Sequence, residues 1–190
     1  MKRYSTWLAI AGCCLLLFTI TGCCKKENIK ILDVTVHPQE TSMWCWAASG
    51  QMCMDYLGTS PNQCTQANNR FGRTDCCNNP VPNDCVVGGW PEFTKYGFTS
   101  IHTSDAALPW ETIREEVCCN SRPFCFTWHW SGGGGHMTVV SGYKTISSGN
   151  HVLVTNPGSG GDVYWITYDY YVNGGGSRAH WDDYYQIKKN

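Results

Sequence analysis

The chain changes character at Arg122, and that change limits the folds open to it. After it come four short runs rich in β-branched and aromatic residues: Phe124 to Trp130, Met137 to Ser141, Val152 to Thr155 and Val163 to Tyr168. Glycine-rich turns separate them. Such side chains suit a pleated surface, and glycine supplies the turn conformations, so the pattern predicts consecutive antiparallel strands. A last strand is expected near Tyr184 to Ile187. The half before Arg122 reads as helix and loop. Helices first and strands afterwards predict an α+β domain.

In the front half, Trp44 to Leu57 reads as a helix. Thr41 or Ser42 can cap it, Ala47 and Ala48 favour it, and Gly58 offers a stop. Ala48, Met52 and Tyr56 fall on one face. Residues 58–91 are rich in Pro, Asn and Cys and read as loops and turns held by disulfides. Pro109 to Val117 reads as a second helix, with proline in its first turn and Glu111 near the positive dipole end.

The N-terminus reads as a targeting segment. Lys2 and Arg3 precede an apolar stretch, Trp7 to Ile20, too short for a comfortable membrane span. Ile20-Thr-Gly-Cys23 resembles the lipobox of bacterial lipoproteins. That resemblance implies a signal peptide over residues 1–22, lipidation of Cys23, a tether over 23–34 and a single domain over 35–190. It also implies a lipid-anchored place in the bacterial cell envelope, with the membrane as a partner. The formal net charge is −1, and beyond the signal segment the short pairs Lys25-Lys26 and Lys188-Lys189 are the only basic runs. This argues against nucleic acid as a partner. Nothing in the sequence speaks to oligomeric state.

Thirteen cysteines fit an oxidising compartment. Eight of them, Cys53, Cys64, Cys76, Cys77, Cys85, Cys118, Cys119 and Cys125, suggest up to four disulfides and leave Cys45 over as a thiol. Adjacent cysteines rarely reach disulfide geometry, so Cys76-Cys77 and Cys118-Cys119 are expected to bond elsewhere. A zinc site is disfavoured, because no histidine stands at ligand spacing from these thiols. The reading therefore calls for no metal and no organic cofactor.

Cys45 is the centre of the chemical signal. A cysteine entering a helix feels unpaired N–H groups that lower a thiol pKa, and a histidine lowers it further. Gln39, six residues upstream, can donate an amide hydrogen bond to an oxyanion, and His136 can serve as the base. A structural cysteine is the competing reading of Cys45. Among the other histidines, His129 falls on the opposite strand face and His151 at a strand start. Asn156 before Pro157 is either an orienter of the imidazole or an ordinary turn residue, with Asp162 as its rival.

The run from Gln39 through Cys45-Trp46 to Ala47-Ala48-Ser49 resembles the nucleophile motif of papain-like cysteine peptidases. Gly135-His136 through Gly142-Tyr143 resembles the histidine strand of that family, and Thr155-Asn156-Pro157 the strand end that supplies its third residue. The resemblance implies a helix carrying the nucleophile, packed on a C-terminal antiparallel sheet. It implies that Cys45 attacks, His136 carries the proton, Asn156 orients the imidazole, and Gln39 with the Cys45 N–H forms the oxyanion hole. Cys85 to Pro91 resembles the segment that lines the substrate cleft, which makes Gly88, Gly89 and Trp90 candidate substrate-binding residues. Trp128, Trp130 and Trp165 are candidates for the cleft floor. The expected substrate is a protein or peptide. An acyltransferase or peptidoglycan amidase, and a catalytically silent binding lipoprotein, are the alternatives.

Overall fold

Most of the chain after Arg122 lies in one antiparallel sheet. The computed structural model describes residues 27–190, so the signal segment and Cys23 lie outside the described residues. Strands β3 (Phe124–Trp130), β4 (Gly135–Ile146), β5 (Gly149–Asn156) and β6 (Asp162–Thr167) follow one another as neighbours. Strand β7 (Arg178–Lys189) returns beside β3, and β2 (Phe98–His102) pairs on the outer edge of β7. The α+β architecture is the one the sequence pattern predicts. The last strand is longer than Tyr184 to Ile187, and Tyr168 leaves β6 to begin helix α4 (Tyr168–Asn173). Thr167 caps that helix by accepting the Tyr170 N–H at 3.0 Å.

The segment expected as the end of a tether is instead part of the domain. β1 (Ile29–Ile31) pairs antiparallel with β4, and Leu32 and Val34 are buried in the core. Gly142 permits this pairing. A Cβ there would stand 2.8 Å from the Lys30 carbonyl oxygen, at the irregularity where β4 shifts register against β5.

Helix α1 (Cys45–Tyr56) packs on β3 and β4 and is buried from Trp46 through Met54. It therefore has no single apolar stripe, and the face of Ala48, Met52 and Tyr56 describes only part of its contact. Neither Thr41 nor Ser42 caps it with a side chain. Trp44 holds the cap position, and its N–H bonds the Thr41 carbonyl at 3.3 Å. Gly58, at φ +88°, ends the helix as expected.

Residues 58–91 are not all loop. Helix α2 (Gln63–Phe71) lies there, ended by Gly72 at φ +65°. Its buried positions are Gln63, Gln66 and Ala67, so it is held by amide hydrogen bonds and carries no apolar periodicity to read. Two disulfides, Cys64–Cys77 and Cys76–Cys85, staple this region. The adjacent pair Cys76-Cys77 thus bonds elsewhere, as expected. Cys119 is also disulfide-bonded. The upper limit of four bridges among these eight cysteines is not reached: Cys53, Cys118 and Cys125 are thiols along with Cys45. The second helix, α3 (Trp110–Arg114), continues into a wide π turn over Glu115–Cys119.

Candidate active site

Cys45 is the first residue of α1, with no side-chain cap competing for the first-turn N–H groups. Two tryptophans flank it and anchor a second segment to the helix. Trp44 Nε1 donates to the Cys85 carbonyl at 2.7 Å, and Trp46 Nε1 to the Val87 carbonyl at 3.2 Å. The Cys76–Cys85 disulfide holds the same segment from its other side. Gly88, Gly89 and Trp90 are thereby brought to the mouth of a cleft of about 710 Å³ that Cys45, Gln39 and His136 also line.

Small residues let α1 approach β4 closely. Ser49, one turn beyond Cys45, donates its hydroxyl to the Met137 carbonyl at 3.1 Å, and Met137 follows His136. One buried hydrogen bond thus sets the helix against the histidine strand. The Cys45 sulfur in turn meets the Met137 N–H, along with N–H groups of its own helix turn.

His136 Nε2 lies 2.7 Å from Asn156 Oδ1, at the end of β5. The amide oxygen can only accept, so Nε2 carries the proton and Nδ1 is left as the basic nitrogen. Asn156 is fixed at both ends: its Nδ2 donates to Asp162 at 2.6 Å, and its Oδ1 also accepts the Gly158 N–H at 3.0 Å. Asp162, the rival orienter in the sequence, therefore acts through Asn156. A Cβ at Gly158 would stand 3.3 Å from both His136 Nε2 and Asn156 Oδ1, so the turn passes close over the pair.

Gln39 also lines the cleft. Its backbone N–H bonds the Pro157 carbonyl at 2.9 Å, tying it to the Asn156 turn, and its Nε2 donates to the Thr41 carbonyl at 2.8 Å.

Burial dominates the electrostatics. It pushes the Cys45 thiol above its ordinary pKa, although the Met137, Trp46 and Cys45 N–H groups pull the other way. It also pulls His136 below the usual imidazole range, helped by the Arg178 guanidinium and opposed by the Asn156 hydrogen bond and Asp162. The depressed thiol pKa expected from the helix terminus is thus outweighed by desolvation. Neither group readily becomes charged alone. Moving the proton from sulfur to imidazole creates both charges together, and their attraction offsets part of the desolvation.

The family comparison covers residues 31–189, matching the model of the Peptidase_C39 like family. The chain belongs to the Peptidase_C39 like family. Membership supports a cysteine-peptidase-type hydrolase acting on protein or peptide, with the α+β fold described above, consistent with the papain-like resemblance. No curated protein sequence matches the chain.

Several residues of this family member escape a sequence reading. Gln63, on α2, donates to the Pro38 carbonyl at 2.8 Å and accepts the Glu40 N–H at 2.9 Å, gripping the peptide groups on both sides of Gln39. It is buried and contacts Gln51 of α1 at 3.3 Å. Arg70 and Trp181 line the cleft as well. Of the proposed floor tryptophans, Trp130 lines it; Trp128 is buried in the core, and Trp165 packs under the Lys144 ammonium at 4.2 Å. No motif marks Gln63, because its role depends on a contact 24 residues away in sequence.

Asp75, Cys76 and Cys85 bring three potential metal-ligand atoms within 4.8 Å. Both sulfurs are joined to each other, which removes the thiolates such a site would need.

Proposed function

We propose that the protein is a thiol peptidase working through Cys45, His136 and Asn156 by an acyl-enzyme. The observation that carries this reading is the shared cleft: Cys45 at a helix N-terminus faces the same space as an imidazole whose far nitrogen is engaged by Asn156. His136 Nδ1 takes the Cys45 proton, and the sulfur attacks the substrate carbonyl. The tetrahedral oxyanion is met by the Cys45 N–H and the Gln39 amide. Collapse breaks the C–N bond, and His136 returns the proton to the leaving amine. Water, deprotonated by the neutral imidazole, then attacks the thioester, releasing a carboxylic acid and the Cys45 thiol.

The lipobox-like Ile20 to Cys23 supports an anchor on the cell envelope, with the domain starting at Ile29 only a few residues from the lipid. Among the described residues no helix is long and apolar enough to cross a membrane.

The test is cleavage of an unfolded protein substrate by the full chain, set against Cys45→Ala and His136→Ala. Loss of cleavage in both, with a covalent acyl adduct trapped on Cys45 in the unmodified chain, supports the reading. Retained cleavage in Cys45→Ala refutes it. Amide products formed on adding a primary amine would convert the reading to acyl transfer through the same residues.

A further inference from the structure

We infer that Arg70 forms a carboxylate-recognising subsite in the cleft, so that the preferred peptide carries an anionic group close to the scissile bond. This rests on the peptidase reading above and names the substrate class for the same site.

Apart from His136, every residue lining the cleft other than Arg70 is uncharged, and none is acidic. The guanidinium has no carboxylate partner among the described residues. The guanidinium rests against an aromatic ring, which holds a cation without neutralising it and so leaves its charge for an anion.

Arg70 is also held in place, which separates it from a mobile surface cation. Its Nη1 donates to the Trp90 carbonyl at 3.1 Å, and its guanidinium carbon lies 5.6 Å from the centroid of the Trp46 ring. The chain passes behind it as Gly89, where a Cβ would overlap Arg70 and would stand 2.9 Å from Trp46. Glycine at 89 is therefore required for Arg70 and Trp46 to close on the backbone. The one hydrogen bond to the Trp90 carbonyl leaves most of the five guanidinium donors for a ligand, and their fork matches a carboxylate. Arg70 lines the same cleft as Cys45, so a peptide seated for attack can present an anionic group to it.

A carboxylate can come from an Asp or Glu side chain or from a free C-terminus. The test uses quenched fluorescent peptides that the full chain cleaves, in three forms: blocked at both ends with Gln, blocked with Glu scanned through each position near the cut, and Gln with a free C-terminus. One carboxylate form should exceed its neutral match in kcat/KM by about ten-fold or more, the size expected for a charge-assisted hydrogen bond. The form that responds identifies the source. In Arg70→Gln the ratio should fall to near one, and Arg70→Lys should keep part of it. Alkylation of Cys45 in each variant reports an intact site, so a folding defect is not mistaken for lost selectivity. The inference is overturned if no carboxylate is favoured, or if the preference survives Arg70→Gln. Failure of the unmodified chain to cleave any peptide would instead sink the peptidase reading, and this inference with it.

Discussion

Asn156 Nδ2 lies 2.6 Å from Asp162 Oδ1 across the β5–β6 turn, and a carboxylate there can only accept, so the amide oxygen is turned toward His136. In Asp162→Asn that constraint is lost, because the new amide can present either end. We expect kcat/KM to fall by roughly ten-fold to a hundred-fold, the range seen when a residue orienting a functional histidine is removed. Asn156→Ala should cost at least as much. Steady-state kinetics on one peptide checks both, and an unchanged Asp162→Asn rate would mean that the bond does not control the imidazole.

Gln63 should govern Gln39 without touching substrate. Gln39→Ala removes one oxyanion donor and should cost about 3 kcal/mol in transition-state stabilisation. Gln63→Glu keeps an acceptor for the Glu40 N–H but cannot donate to the Pro38 carbonyl, so Gln39 loses half of its backbone grip. The expected result is a lower kcat with little change in KM. Alkylation of Cys45, which builds no oxyanion, should proceed at the usual rate. In a Gln39→Ala background, Gln63→Glu should add little. Additive losses would show that Gln63 acts on stability alone.

The acid limb of the pH–rate profile should lie below the ordinary imidazole range. Burial lowers His136, so the imidazole remains able to accept the Cys45 proton until the pH falls below the ordinary imidazole value of about 6.5. Asp162 raises His136, and its neutralisation in Asp162→Asn should move the limb lower still. A limb above pH 6.5 in the unmodified chain would contradict this.

Stability should depend on a second histidine, away from the cleft. His180 Nε2 meets Asp183 Oδ2 at 3.0 Å, both buried, while Tyr171 donates to Asp183 Oδ1 at 2.6 Å. Burial alone would lower His180, but the Asp183 hydrogen bond and charge outweigh it and raise it. A raised folded-state pKa stabilises below the unfolded value and loses that stabilisation as pH rises through the folded one. The urea midpoint of the full chain, relative to His180→Gln, should therefore shrink from about pH 6 toward pH 8. His180→Ala should cost up to about 3–5 kcal/mol near neutral pH, since it leaves the buried Asp183 carboxylate without its cationic partner, with Tyr171 and the Leu108 N–H still donating to it.

Thiol accessibility gives a check independent of catalysis. Cys45 and Cys118 are partly exposed, whereas Cys53 on α1 and Cys125 on β3 are buried with their sulfurs 3.5 Å apart. In the folded chain a maleimide should label Cys45 and Cys118, and reach Cys53 and Cys125 only after denaturation. Early labelling of Cys53 would mean that α1 lifts from the sheet under native conditions.

The sequence by itself determined the elements whose side chains carry the pattern. Alternating β-branched and aromatic runs with glycine turns marked β3 to β6, and small residues after Cys45 marked α1, because local propensity and burial agree there. The same local signals picked out Cys45, Gln39, His136 and Asn156 as residues worth bringing together. Tertiary structure decided the rest. α2 was invisible because its buried face is polar, with the Gln63 and Gln66 amide N–H groups donating to backbone carbonyls of other segments instead of an apolar stripe. β1 was read as tether because three residues carry no period, and they become a strand only by borrowing the free edge of β4. Disulfide pairing likewise waited on the fold, since sulfur-to-sulfur distance depends on where chains cross. Even the charge state of the Cys45–His136 pair was beyond the sequence: a helix terminus argues for a low thiol pKa, and only the depth of the site reveals that desolvation outweighs it.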